Sequence, residues 1–386
     1  MDDDTVLDSP FEVIVAGHIC LDLIPELPDV ELTALLQPGA LTEIGPVAMS
    51  TGGVVSNTGR SLHRLGVRTG LMGKVGADQL GQITLDLIRV EDPVMAEGMI
   101  VAQGETSSYT IVISPPQTDR IFLHAVGANQ TFGADDVNYE QVRGARLFHF
   151  GYPPYLPRLY ADDGAELVDM FQRAKETGVI TSLDTAMPDP NSPGGQVDWR
   201  LVLARTLPYV DLFLPSLDEL RVMLGREDEP VSDAAISTLA AEVLEMGTRV
   251  VVIKLGARGM VLRTGEGGAP HTDDAEWRNR ELWVPPFVPD YVVGTTGAGD
   301  ASIAGFLAGM LRGQSVTQAL TTAVAVGACN VEAPDALSGV RSWEDTQARI
   351  AAGWARAPLT INAPGWEWDK NWQVWVGPHD KRNRKG

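Results

Sequence analysis

The stretch Val292-Val293-Gly294-Thr295-Thr296-Gly297-Ala298-Gly299-Asp300 runs directly into Ala301-Ser302-Ile303-Ala304-Gly305-Phe306-Leu307-Ala308-Gly309-Met310-Leu311-Arg312-Gly313. Ile303, Phe306, Leu307, Met310 and Leu311 recur at the i, i+3, i+4, i+7, i+8 spacing of a buried helix face, and Gly313 falls where a glycine closes a helix. A helix opened by glycines presents N–H groups with no intrahelical acceptor at the positive end of its dipole, and Gly297 and Gly299 let another group approach that backbone closely. Gly297, Ala298 and Gly299 therefore read as an anion hole. Asp300, in the first turn, leans back toward the same spot because helical side chains tilt N-terminally. A carboxylate beside an anion site suggests acid–base chemistry on a phosphate; the plain alternative is a core helix capped after a tight glycine turn.

Composition sets the outer limits. The 386 residues suffice for one large α/β domain with an ample core, and 51 acidic against 30 basic residues give a net charge of −21. That charge repels nucleic acid and anionic membrane surfaces, so neither is an expected partner. No apolar run approaches a membrane span, Met1-Asp2-Asp3-Asp4 is the opposite of a basic signal-peptide start, and Cys20 and Cys329 sit in apolar sequence like buried thiols of a reducing compartment. A cytoplasmic protein is expected, in which the triplet Asn129-Gln130-Thr131 carries no glycan.

Along the chain, an acidic leader (1–10) precedes a β-prone run at 11–16 that ends in Gly17-His18-Ile19-Cys20-Leu21-Asp22, a strand whose loop carries an acid. After an irregular stretch at 39–51, Gly52-Gly53-Val54-Val55-Ser56-Asn57 opens a helix expected over 58–65, closed by Gly66. Asn57 there is either a helix cap or, with the glycine backbone, a polyol-holding group. Residues 99–132 alternate apolar and polar in places around Pro115-Pro116, as a solvent-facing hairpin does, and mark a candidate lid. From Ala145, strand-like runs (147–150, 179–183, 210–214, 250–254) alternate with helical ones (165–175, 201–207, 217–224, 234–246). Such β-α alternation predicts a doubly wound, mostly parallel α/β sheet with helices on both faces. A polar surface loop is expected over 264–280, and helices over 316–331 and 343–352.

Ligands of such sheets sit outside the C-terminal strand ends. Asp22, Asp184, Ser216 with Glu219, Gly256 and Asp300 each follow one of the strand-like runs, so together they outline one cleft.

These residues carry a family resemblance. Gly52-Gly53 with Asn57, continuing through Leu65-Gly66 to Gly73-Lys74-Val75-Gly76-Ala77-Asp78-Gln79-Leu80-Gly81, resembles the N-terminal signature of the ribokinase-like (PfkB) carbohydrate kinases. Gly294-Thr295-Thr296-Gly297-Ala298-Gly299-Asp300 resembles their D-T-x-G-A-G-D signature, and Gly17 with Asp22, Gly127-Ala128-Asn129, Ser216 with Glu219 and Leu255-Gly256-Ala257-Arg258-Gly259 are similar to further family marks, over roughly 11–350. The resemblance implies a ribokinase-like α/β domain with a small β-sheet lid, drawn from segments near 39–51 and 99–132. It implies transfer of the γ-phosphoryl group of ATP to a sugar hydroxyl with Mg²⁺. By the same resemblance Asp300 is the base, Gly297, Ala298 and Gly299 the anion hole, and Glu219 an indirect Mg²⁺ organiser. Asp22, Gly52, Gly53 and Asn57 match sugar-holding positions; Ser216, Gly256 and Gly259 match nucleotide-binding ones. Lid strands expose edges that a second lid could cover, so a homodimer is expected. A nucleoside kinase of the same family, or a catalytically silent sugar-binding or regulatory protein on this fold, is the alternative; Gly294 and Ser216 motivate the silent one, and Asp300 with an intact G-A-G turn opposes it.

Other fingerprints are poorer. Gly76 to Ile83 has P-loop glycine spacing without its Lys and Ser/Thr, and Gly297-Ala298-Gly299 lacks the third Rossmann glycine. No His-Glu-x-x-His or paired-Cys motif occurs, so no protein-bound zinc is expected. His18, near Asp22, is either a loop residue or a substrate contact. The tail (351–386) holds Trp354, Trp366, Trp368, Trp372 and Trp375 and ends in Lys381-Arg382-Asn383-Arg384-Lys385; its aromatics either pack along their own domain or reach a neighbouring subunit or the active site.

Gly294 stands where the family signature has its first Asp, beside a monovalent-cation site, Ser216 replaces the Asn of N-x-x-E, and Ala186 replaces an Asn often found after Asp184. With that carboxylate missing, weak or no potassium dependence is expected. Rates in buffer free of sodium and potassium, then with potassium added, test this; a rise of tenfold or more, about 1.4 kcal/mol, would show that carbonyls alone sustain the site.

Overall fold

The apolar runs Val13–Gly17, Leu147–Gly151, Ile180–Leu183 and Val250–Lys254 are buried along nearly their whole length, as strands covered by helices on both faces must be. The computed structural model, which describes residues 9–30, 32–35, 37–115, 120–270 and 275–381, assembles them with Thr69–Met72 and Leu212–Phe213 into the parallel part of a 10-stranded sheet. The spatial order is Thr69–Met72, Val13–Gly17, Leu147–Gly151, Ile180–Leu183, Leu212–Phe213, Val250–Lys254. Period-2 alternation divides the core. Val13 and Val15 pack with the helices Val54–Arg64, Ala298–Leu311 and Val316–Asn330; Ile14 and Ala16 pack on the other face with Pro157–Glu176, Trp199–Thr206 and Asp233–Glu245. This is the expected doubly wound α/β sheet.

Beyond Val250–Lys254 the sheet turns antiparallel through Met260–Thr264, Glu281–Val284, Val374–Val376 and Glu367–Asp369. The tryptophan-rich tail thus supplies the last two strands of its own domain. Trp366 packs edge-on to Trp283 with ring centroids 5.8 Å apart, Trp368 meets Trp375 at 5.6 Å, and the buried Arg280–Asp380 ion pair (2.7 Å) fixes the chain beyond them. The acidic leader up to Asp8 and the basic end from Arg382 lie outside the described residues.

A separate 4-stranded sheet forms the lid, ordered Val47–Gly52, Cys20–Pro25, Tyr109–Ile113, Ile121–Ala125. Its make-up differs from the segments anticipated from sequence. Residues 39–46 contribute no strand, Ile100–Ala102 pairs instead with Lys74–Gly76, and Asp22 lies within a lid strand rather than a loop. The reason is local: Gly17, at φ 130, turns the chain out of the main sheet, and after two residues it pairs again as the lid strand Cys20–Pro25. A second boundary also moves. The helix expected over 58–65 starts at Val54 with Gly53 (φ 85) as its cap, so Asn57 lies inside the first turn and its N–H donates to Gly53 O at 2.8 Å.

Candidate active site

The C-terminal ends of the parallel strands deliver Gly17 and His18, Gly151 and Tyr152, Asp184, Ser216 and Lys254 to one edge of the sheet. The helix Ala298–Leu311 starts over that edge, with Gly297 as its cap at φ 74, a left-handed conformation that favours glycine; a side chain there would also strike Ala336. Within the expected anion hole, the Ala298 N–H already donates to Thr295 O at 3.2 Å. Lys254 runs past Gly299, its Cδ, Cε and Nζ 3.6–3.8 Å from where a side chain at that glycine would begin, an ordinary contact distance.

Asp300 is buried (4% exposed) and its carboxylate collects donors from distant segments. Asn57 Nδ2 donates at 3.0 Å, Tyr152 Oη lies 2.9 Å from both oxygens, and Thr58 Oγ1 donates at 3.4 Å. Burial pushes the Asp300 carboxyl above the usual range, against the stabilising pull of Lys254, Asn57 and Tyr152. Asn57 is thus brought to Asp300 itself, and its Oδ1 is left without a partner.

Beside Asp300, Lys254 pairs with Asp184 at 2.7 Å, both buried. Burial pulls the Lys254 ammonium down, but Asp184, Glu219 and Asp300 together carry it above its ordinary value, so it stays charged. Burial pushes the Asp184 carboxyl up, opposed by Lys254, and Asp184 Oδ2 has no partner. Glu219 accepts from Thr185 Oγ1 (2.9 Å) and from the Ser216 N–H (2.8 Å), while Ser216 Oγ accepts from the Glu219 N–H (3.3 Å). Ser216 and Glu219 therefore form a reciprocal cap on the helix Leu217–Met223. Gly256 and Gly259 bound the turn after Val250–Lys254 at φ 53 and 82; a side chain at Gly259 would strike Val284 O, whereas Gly256 faces open space.

On the lid side, a side chain at Gly52 would begin 2.5 Å from Asp22 Oδ2, and one at Gly53 2.5 Å from His18 Nδ1. The two glycines are what let the helix start press against the lid strand. Burial raises Asp22 to about 6, with Cys20 and Thr110 hydrogen bonds opposing. His18 stacks on Tyr152 at 6.0 Å and meets Tyr155 edge-on at 5.4 Å. Asn129 is structural: its side chain brackets Ile19 through O (2.8 Å) and N (3.4 Å). Arg120, also on the lid, donates to Pro334 O at 3.0 Å and to Thr296 Oγ1, and a side chain at Gly294 would begin 3.3 Å from its guanidinium. A separate cavity of about 450 Å³, lined in part by Phe287, Gln318, Trp354 and Trp372, contains none of these residues.

Sequence reasoning missed Tyr152, Lys254 and Arg120. The first two stand at ends of parallel strands, and Tyr152, a non-glycine residue at φ 64 followed by Pro153-Pro154, holds a strained backbone of the kind found at working sites.

The model of the pfkB family of carbohydrate kinases matches residues 11–343, and the chain belongs to that family. An uncharacterized sugar kinase of Archaeoglobus fulgidus is 31% identical over 257 residues, 67% of this chain and 88% of that protein. The 2-dehydro-3-deoxygluconokinase of Bacillus subtilis is 27% identical over 323 residues, 81% of this chain and 90% of that one. The structure of Arabidopsis thaliana ribokinase complexed with ribose and ATP superposes with a TM-score of 0.69 at 20% identity, covering 88% of this chain and 98% of the other. The protein is thus an ATP-dependent carbohydrate kinase by family, on the ribokinase-like fold. No helix among the described residues is long and apolar enough to cross a membrane, and Cys20 and Cys329 are free and buried.

Tyr152→Phe tests the geometry around Asp300. The Tyr152 hydroxyl stabilises the charged carboxylate, so its removal raises the Asp300 pKa and moves the acidic limb of the pH–rate profile upward. A limb that stays in place while the rate falls would assign Tyr152 to packing alone.

Proposed function

We propose that the chain phosphorylates a hydroxyl of a sugar or sugar acid, with Asp300 as the base. The observation that carries this is the buried Asp300 carboxylate in the first turn of a glycine-opened helix, gripped by Asn57 and Tyr152. The acceptor hydroxyl oxygen attacks the γ-phosphorus of ATP, the bond from that phosphorus to the β-phosphate bridging oxygen breaks, and the hydroxyl proton passes to Asp300. An alcohol far less acidic than a carboxylic acid loses its proton only as the new bond forms, so placing the acceptor matters more than prior deprotonation. The raised pKa of Asp300 suits a proton acceptor better than an exposed carboxylate would. N–H groups at Gly297 and Gly299, with the Lys254 ammonium beside them, would face the negative charge of the transferring group.

Asp22 would accept hydroxyl hydrogen bonds from the sugar, with Gly52 and Gly53 giving it room and Asn57 turned between sugar and base. A sugar lacking the matching hydroxyl would leave a buried acceptor unpaired, which makes such contacts selective. Ser216 would act through the cap that aims Glu219, and the open backbone at Gly256 would pass the nucleotide. The unpartnered Asp184 Oδ2 offers the hard oxygen donor that suits Mg²⁺, with Glu219 engaging the ion through water. Bound there, Mg²⁺ would neutralise charge on the phosphates. The Arg120 guanidinium beside Gly294 supplies fixed positive charge at the loop before the anion hole, in keeping with weak potassium dependence.

Asp300→Asn keeps size and leaves the fold intact, since the Asn57 amide can turn its unpartnered Oδ1 toward the new NH₂. Turnover should fall by about 10² to 10⁴ with KM little changed, measured as ADP release over a panel of ketoses, aldoses, keto-deoxy sugar acids and nucleosides. More than about a tenth of the parent kcat at equal melting temperature would remove Asp300 as base. Binding of a sugar with no turnover for any acceptor would favour a silent protein, and turnover of nucleosides alone a nucleoside kinase.

The reading extends to a homodimer through the lid, whose strands leave Val47, Met49, Phe122 and Leu123 between 44% and 54% exposed. Sedimentation should show a dimer that Phe122→Glu with Leu123→Glu dissociates; a monomeric parent chain at assay concentration would end that proposal.

A further inference from the structure

The lid register sets four polar side chains on one face. Asp22 is paired with Thr110, and Thr110 with His124, so these three form one rung across adjacent strands. Cys20, two residues before Asp22, shares its face by the period of a strand. His18, at the end of the main-sheet strand, comes up from below. The ligand-capable atoms of His18, Cys20 and His124 all lie within 4.8 Å of one another. No contiguous motif announces this set, because the three residues meet only through the pairing of Cys20–Pro25 with Tyr109–Ile113 and of that strand with Ile121–Ala125.

We infer that His18, Cys20 and His124 form a three-ligand site for a borderline-soft divalent cation of the zinc type at the junction of lid and body, with water in the fourth position. His18 Nε2 and His124 Nε2 are 3.4 Å apart, a long separation for a hydrogen bond. It matches the edge of about 3.3–3.4 Å between two nitrogens bound tetrahedrally at 2.0–2.1 Å to Zn²⁺. Asp22 Oδ1 stands 3.4 Å from Cys20 Sγ, beside the set of three but not part of it. His124 Nδ1 is 3.0 Å from Thr110 Oγ1, the outer hydrogen bond that orients a metal-binding imidazole. Binding forms two metal–nitrogen bonds and one metal–sulfur bond, and releases the Cys20 proton to water. The exposed His124 gives the ion a path in from the lid surface.

The chemistry separates this site from the catalytic floor. Nitrogen and sulfur donors select Zn²⁺ or Co²⁺, whereas the oxygens of Asp184 and Glu219 suit Mg²⁺. Occupation would place the ion next to Asp22, the proposed sugar acceptor, and tie a lid strand to His18 of the body. The ion would therefore inhibit by competing with the sugar and not with ATP; this consequence, unlike binding itself, rests on the kinase proposal.

The test uses the full chain freed of metal by chelation, then titrated with Co²⁺ and with Zn²⁺. One equivalent should bind, Co²⁺ giving the intense near-ultraviolet charge-transfer band of a cobalt–thiolate bond. Cys20→Ser should abolish the band, and His124→Ala, at the exposed end of the set, should weaken Zn²⁺ binding by more than about 100-fold, since even outer-shell partners are worth about 10–100-fold. Melting curves of both variants establish that they are folded. Absence of stoichiometric binding to the parent chain, or equal affinity in the folded His124→Ala variant, overturns the site. In the kinase assay Zn²⁺ should raise KM for the sugar while leaving KM for ATP unchanged, and a rise in KM for ATP alone would overturn the competition. A chain that gives the cobalt–thiolate band yet turns over no acceptor supports the metal site and removes the kinase proposal, so the two fail separately.

Discussion

A carboxylate buried at the start of a helix must be kept charged by its surroundings, and the arrangement around Asp300 is organised by that requirement. Unpaired, such a group would neutralise or destabilise the fold. Its partners come from far along the chain: Asn57 is 243 residues away and Tyr152 is 148. Meeting them requires the helix Val54–Arg64 and the strand Leu147–Gly151 to arrive at the same sheet edge, which the parallel register of Gly17 with Gly151 secures. Lys254 supplies the nearby positive charge, and its own burial is tolerated because Asp184 pairs with it directly. Removing one partner of such a pair is costly because it strands the other charge, so Lys254 and Asp184 are bound to each other's presence.

The glycines of the two signature segments express close approach more than turn chemistry. Gly52 and Gly53 admit Asp22 and His18, each where a side chain would crowd a polar group, whereas a side chain at Gly299 would meet Lys254 only in ordinary contact. Gly259 is different: the Val284 carbonyl behind it accounts for the glycine as packing within the antiparallel part of the sheet.

Much of this was legible in the sequence, and what was not has physical causes. The parallel strands announce themselves as short apolar runs between helices, and Gly297 to Asp300 as a glycine-opened helix start, because those patterns are local. The lid strand Cys20–Pro25 was hidden because only two residues separate it from the preceding strand, so the run reads as a strand end with its loop. The tail strands were hidden because three-residue strands at a sheet edge carry too few alternations to show a period. Tyr152 and Arg120 escaped for a third reason: their importance lies in what they touch, Asp300 and Thr296, and no spacing along the chain encodes that contact.

Arg120 also ties the lid to the glycine-opened start of the helix Ala298–Leu311. It belongs to the lid, yet it donates to Thr296, one residue before the cap Gly297, and to Pro334 on the loop whose Ala336 packs against that same glycine. A lid that swings outward must break both bonds, releasing a guanidinium from the loop that leads into Gly297. Under the proposed function, a phosphate group at Gly297 to Gly299 would offer that guanidinium a bidentate acceptor stronger than a neutral hydroxyl and a carbonyl. Lid position and the electrostatics of the helix start are therefore coupled through a single side chain, in the place where Gly294 leaves space for it.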